Sequence, residues 1–231
     1  MDFQQGLITT IHEYGITKDL INELNKGLKN RPTAILIPCL YEEFERPALK
    51  SIKEVLKNLN GLNELVIALS AKSIEQVKSA KSFFESMPFP VHLQWTNSPS
   101  VIELLKSQEK NGLELLGTPG KGWAVWQGIG VATRKSEVVA LFDADIRTFS
   151  SLYPSKMILP LLDDSYGISY VKAFYSRLSL ETNELQGRAT RLFVGPLLDS
   201  LEQLVGKGPF LQYLQSFRYP LAGEFAFTKD L

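Results

Sequence analysis

The chain has 231 residues, of which 44% are hydrophobic and 22% charged, with 25 basic side chains against 25 acidic ones. That composition supplies one sizeable core and excludes a disordered chain. A formal net charge of zero gives no global pull toward nucleic acid or anionic lipid and leaves only local basic pockets. The single cysteine, Cys39, excludes an intramolecular disulfide and fits a reducing compartment, so a cytoplasmic location is expected. "MDFQQGLITT" lacks the basic start and apolar run of a targeting peptide. No stretch carries the roughly 18 unbroken apolar residues of a membrane span.

Residues 1–30 read as a helical extension ahead of a main domain at 31–231, because Ile16, Leu20, Ile21, Leu24 and Leu28 recur at helical spacing. "TAILIP" predicts a buried strand stopped by Pro38, and Pro47 opens a helix whose apolar face runs from Ala48 to Leu59. Gly61 ends that helix and "ELVIALS" is a second buried strand. Ser73 and Gln76 stand in capping-box register before the next helix. "VHLQW" alternates like a third strand, and "SVIELLKSQEK" is a shorter helical stretch. Strand–helix alternation of this kind predicts an α/β fold, a mostly parallel sheet covered on both faces. "SEVVALF" is the next strand, followed by a proline-punctuated helical piece, a strand in "ISYVKAFYSR" and a polar loop. A long helix is expected from about Arg188 to Val205, with a last short strand in "GEFAFTK".

Three stretches carry chemistry. In "ALFDADI", Asp143 and Asp145 stand at the carboxyl end of a buried strand, where open α/β sheets bind ligands. Residues two apart in extended backbone point the same way, so both carboxylates can face one ligand. Mg2+ and Mn2+ are commonly held by one or two carboxylates together with substrate phosphates, and a nucleoside diphosphate sugar suits that pattern. The commoner alternative for a lone Asp-x-Asp is a surface turn. "GTPGKGWAVWQG" places glycines and Lys121 before a helix, which suits a phosphate, or is a plain helix start with a solvated lysine; it is not a P-loop. "LQGRATRLF" places Gly187, Arg188 and Thr190 at a helix start fit for an anion, or simply a capped helix.

Taken in order, "IPCLYEE", "PGKGWAVW", "ALFDADI", "YVKAFYSR", "GRATRL" and "YPLAGEFA" resemble the retaining glycosyltransferases of GT-A fold that make glucosyl-3-phosphoglycerate, in glycosyltransferase family 81. The resemblance runs from about Thr33 to the end of the chain. It implies a Rossmann-like nucleotide-diphospho-sugar transferase fold and a divalent metal, Mg2+ or Mn2+. The implied donor is UDP-glucose or a related nucleotide sugar, and the implied acceptor is phosphoglycerate or a glycerate-like molecule. Pro38, Glu42 and Ser70 then match uridine contacts, Lys121 a lysine near the diphosphate, Asp143 the aspartate toward the ribose and Asp145 the metal ligand. Gly187, Arg188 and Thr190 match the pocket for the acceptor's phosphate.

Two departures stand out. Leu69 occupies a position where several family members carry aspartate. The family also continues into a G-x-E-I-G block and a metal-binding histidine, which His12 and His92 do not match. A chain lacking the family's C-terminal segment, with weak activity of its own, is therefore expected. Two other readings stay open: a non-catalytic nucleotide-sugar or partner-binding module, including a homodimer, and a phosphohydrolase of haloacid-dehalogenase type. Against the last, Arg147 stands where its D-x-D-x-T motif needs threonine.

Overall fold

The computed structural model describes residues 17–109, 120–175 and 189–231, with residues 8, 10, 11 and 112 and the backbone of 177–178 and 185–186. Two compact units divide it: one spans Gly15–Val171 and Glu224–Leu231, and the other is centred on Lys172–Gly223.

The larger unit starts with helix α1 (Thr17–Asn30) and strand β1 (Thr33–Leu40). A 3-10 turn at Tyr41–Glu45 leads into α2 (Pro47–Leu56), followed by β2 (Glu64–Ser70), α3 (Ile74–Phe84), β3 (Val91–Trp95) and α4 (Pro99–Glu109). After residue 120 come α5 (Lys121–Ala132), β4 (Val138–Leu141), α6 (Leu152–Leu162) and β5 (Tyr170–Lys172).

β1, β2 and β4 are apolar almost without a break because both faces of the sheet are covered. Ala34, Leu36, Val66, Ala68, Val139 and Leu141 pack against Ala124 and Ala132 of α5. The alternate set, Ile35, Ile37, Leu65, Ile67 and Leu69, is fully buried on the sheet's other side. Leu69 is thus a core residue. α6 lies against β4, and α1 packs on α6 through a close approach at Gly27, where an added Cβ would stand 2.5 Å from Leu162 Cδ1. Arg31 fastens the same corner, its Nη1 donating to Leu161 O at 2.6 Å and to Asp164 Oδ1 at 2.7 Å.

β1 runs two residues past Pro38, beyond the stop expected there. Phe142 N donates to Leu36 O at 3.0 Å, so residues of that parity in β1 face β4. At the level of Pro38, β4 has already ended, and the missing N–H leaves no ladder bond unmade. The predicted capping box is also shifted: Ser73 Oγ accepts from Gln76 N at 3.4 Å, but Gln76 Oε1 reaches back to Lys72 N, at 2.7 Å.

In the smaller unit, β6 (Arg177–Leu178) and β7 (Leu185–Gln186) form an antiparallel ribbon. A π-helical turn at Thr190–Val194 runs into α7 (Gly195–Val205), and α8 (Pro209–Ser216) follows. Gln215 Nε2 ties α8 to α7, donating to Asp199 Oδ1 at 3.0 Å and Glu202 Oε2 at 3.2 Å.

The chain then returns to the larger unit with β8 (Phe225–Thr228). The completed six-stranded sheet has the order β3-β2-β1-β4-β8-β5. β3, β2, β1 and β4 pair in parallel, and β8 pairs antiparallel with β4. "ISYVKAFYSR", read as one strand, supplies only β5 to this sheet, and its final arginine belongs to the ribbon. Among the described residues no helix is long and apolar enough to cross a membrane.

Candidate active site

The parallel strands end together. Leu40 of β1 pairs with Ser70 of β2, and Leu36 with Leu141 of β4, so the chain leaving β4 draws level with Pro38 just as it reaches Asp143. Pro38, Ser70 and Asp143 therefore share the carboxyl edge of one sheet. Phe142, fully buried between them and the core, anchors the turn by an edge-on contact with Phe149 at 5.3 Å.

Lys121 is the first residue of α5 and reaches Asp143 across this edge. Its Nζ stands 2.5 Å from Oδ1 and donates to Oδ2 at 2.7 Å. Oδ1 is out of solvent and off the direction of a hydrogen bond, so among the described residues the ammonium alone compensates it. Asp145, two residues on in the turn that follows, is exposed. A side chain added at Gly122 would meet nothing within 4 Å, which leaves the start of α5 open to a ligand. Two residues along the same helix, the Trp123 indole N–H is buried without an acceptor.

Glu42 sits in the 3-10 turn after β1 and accepts from Lys72 Nζ at 2.8 Å across the β1–β2 edge. The Lys72 ammonium holds the Glu42 carboxyl below the usual glutamate range, and Glu42 in turn raises Lys72. Tyr41 steadies the turn by donating to Ser79 Oγ at 3.2 Å, and Phe44 stacks edge-on against Phe83 at 5.1 Å and Phe84 at 5.9 Å. Cys39, the penultimate residue of β1, is buried, and burial pushes its thiol far up, so it is an inert core residue.

Sequence reasoning missed Lys72, because an exposed lysine after a strand carries no motif. It also passed over Glu224, which is buried just ahead of β8. The pairing of Leu141 with Phe225 places Glu224 level with Phe142, one residue from Asp143. An acidic residue opening an apolar strand was the available signal.

In the smaller unit, Thr190 begins the π-helical turn, and its Oγ1 is buried with no partner. Gly187 and Arg188, the glycine-rich turn at 117–119 and His12 lie outside the described residues. His92 is an exposed side chain on β3.

Among the described residues no three His, Cys, Asp or Glu side chains gather into a metal cage. What the site offers is an exposed carboxylate, Asp145, and a second, Asp143, with an incompletely satisfied buried oxygen. This oxygen-only pair fits Mg2+ or Mn2+ completed by a ligand's phosphates.

A parallel sheet with an antiparallel return strand and an acidic pair at the tip of its central strand is the GT-A arrangement of nucleotide-sugar glycosyltransferases. Solved structures agree: the chain superposes on glucosyl-3-phosphoglycerate synthase from Mycobacterium tuberculosis in complex with Mn2+, UDP and glucosyl-3-phosphoglycerate. The TM-score is 0.61 at 25% identity, over 96% of this chain and 64% of that one. The chain is a homologue of the glucosyl-3-phosphoglycerate synthases. It is 39% identical over 100% of its length to the one from Methanococcoides burtonii and 34% identical over 99% to the one from Persephonella marina. It spans 57% of the length of each of these two relatives. No family model matches the chain.

Proposed function

We propose that this chain carries the donor site of a retaining glucosyltransferase that moves glucose from UDP-glucose to the 2-hydroxyl of 3-phosphoglycerate. The observation that carries the proposal is the Lys121–Asp143 pair, with exposed Asp145 two residues on, at the carboxyl edge of the parallel strands. Homology to the glucosyl-3-phosphoglycerate synthases supports the choice of substrates.

Pro38, Glu42 and Ser70 line the edge where the uridine would lie, and Asp143 would face the ribose. Asp145 would hold the divalent cation together with diphosphate oxygens. Bound there, the cation neutralises charge on the departing diphosphate. Lys121 would add a second positive charge at the same oxygens, and the start of α5 would offer them its first backbone N–H groups. On the acceptor side, the unpartnered Thr190 hydroxyl, with Gly187 and Arg188, would bind the phosphate of phosphoglycerate. Retention is assigned to attack from the face the diphosphate leaves. The bond from the anomeric carbon to the acceptor oxygen forms as the bond to phosphate breaks, and a diphosphate oxygen takes the proton.

Calorimetric titration of the chain with UDP and UDP-glucose, in Mn2+ and in EDTA, tests the donor site. Binding in Mn2+ that weakens by about tenfold or more in EDTA is expected. No heat of binding in either condition, at millimolar nucleotide, overturns the proposal.

A further inference from the structure

We propose that Lys121 is a resident counter-ion beside the divalent-cation site. It occupies Asp143 until a nucleotide diphosphate draws it away, so that cation and nucleotide are taken up together. The inference rests on the donor-site reading above and goes beyond it, by naming what holds Asp143 before cation and nucleotide arrive.

Three features of the pair lead here. First, the ammonium touches both oxygens of Asp143, at 2.5 and 2.7 Å, and among the described residues it is the one group that compensates the buried Oδ1. A half-buried carboxylate without that partner would be costly, so the free protein keeps the lysine in place. Second, Lys121 is the first residue of α5, where the helix dipole disfavours a cation and favours an anion. Its position is poor for a lysine except through Asp143, and an arriving diphosphate is attracted to the same spot. Third, Lys121 is 51% exposed on a long flexible stem, so its Nζ can swing from a carboxylate to a neighbouring phosphate oxygen without moving the helix.

The consequence is electrostatic. With Lys121 docked, Asp143, Asp145 and Lys121 together carry one net negative charge, and a lone cation meets an ammonium at the site. Once the diphosphate takes the ammonium, Asp143 is released and the two carboxylates carry two negative charges in place of a net one. Nucleotide therefore raises cation affinity, and cation raises nucleotide affinity by the same factor. Part of that coupling passes through a single side chain.

The test measures Mn2+ binding directly, from loss of the sharp electron paramagnetic resonance signal of free Mn2+, with and without UDP. The wild-type chain is compared with Lys121→Met and Lys121→Arg, each first shown to unfold cooperatively. In Lys121→Met, Mn2+ alone is expected to bind about tenfold more tightly than in wild type, while UDP binds more weakly and the coupling factor shrinks. Lys121→Arg, which keeps the charge, retains the wild-type weakness for Mn2+ alone. Unchanged affinity for Mn2+ alone in Lys121→Met, with UDP weakened, makes Lys121 a plain phosphate ligand and overturns the inference while the donor site stands. Failure of the wild-type chain to bind UDP with Mn2+ removes the donor-site reading, and this inference with it.

Discussion

Gly128 of α5 lies directly on Leu36 of β1, and a Cβ built on the glycine would overlap Leu36 Cδ1 and stand 3.2 Å from Ala68 Cβ. This contact sets how closely α5 approaches the sheet, and so where its first residue, Lys121, meets Asp143. Leu36 is fully buried and Ala68 has no rotamer to change, so neither can yield freely. Gly128→Val is expected to destabilise the chain by about 1–3 kcal/mol, read from the urea midpoint. Its folded fraction should also bind UDP more weakly, because α5 must lift from the strands. A variant with wild-type stability would show that the helix is not seated by this contact.

A second support stands at the end of β2. Asn97 clasps Ala71 on both sides, its Oδ1 accepting from Ala71 N at 3.1 Å and its Nδ2 donating to Ala71 O at 3.0 Å. Trp95 Nε1 donates to the same carbonyl at 3.0 Å. Ala71 lies between Ser70 and Lys72, so the clasp orders both. Asn97→Asp sets an oxygen against the Ala71 carbonyl and should cost about 1–2 kcal/mol in equilibrium unfolding. Faster hydrogen exchange at Ala71 and Lys72 than in wild type is the local sign, and unchanged exchange there would count against it.

Much of this architecture is written into local pattern. β1, β2 and β4 announce themselves because strands buried on both faces are nearly unbroken apolar runs, and Asp143 and Asp145 stand out because they end such a run. Ser73 and Gln76 likewise mark the start of α3. What the sequence hides depends on distant partners. The insertion of β8 between β4 and β5 is a pairing over more than 80 positions, and no local period encodes it. α8 escapes notice because "PFLQYLQS" keeps much of its apolar surface exposed, Phe210 at 70%, and shows no buried stripe. Lys72 is legible only once β1 and β2 are in register and bring Glu42 within 2.8 Å.

That ion pair has a pH signature. Glu42 is held below the ordinary glutamate value of 4.5, first by the hydrogen bond from Lys72. A depressed carboxyl keeps its interaction above its unfolded value and loses it as pH falls through the folded one, so the pair opens only in acid, below about pH 4.5. Lys72→Met should return the Glu42 carboxyl toward its ordinary titration, followed by carbon-13 NMR. Both side chains are well exposed, so unfolding free energy should barely change. If Glu42 orients the base, UDP affinity falls in Lys72→Met at neutral pH; an unaltered Glu42 titration would separate the two residues in solution.

The two aspartates should fail differently. Asp145 is exposed and unencumbered, so Asp145→Asn removes only a negative oxygen ligand. Partners in the outer shell of a metal site are worth 10–100-fold, and the loss of a direct ligand should weaken UDP binding in Mn2+ by at least about tenfold. In EDTA the same variant should match wild type, since the cation is already gone. Asp143 is different, because its carboxylate holds Lys121 at 2.7 Å. Asp143→Asn should weaken UDP both in Mn2+ and in EDTA, because the ribose contact proposed for Asp143 does not depend on the metal. Calorimetry on the two variants in the two buffers gives four numbers to set against wild type. Metal-independent loss in Asp145→Asn, or purely metal-dependent loss in Asp143→Asn, would exchange the roles assigned to this pair.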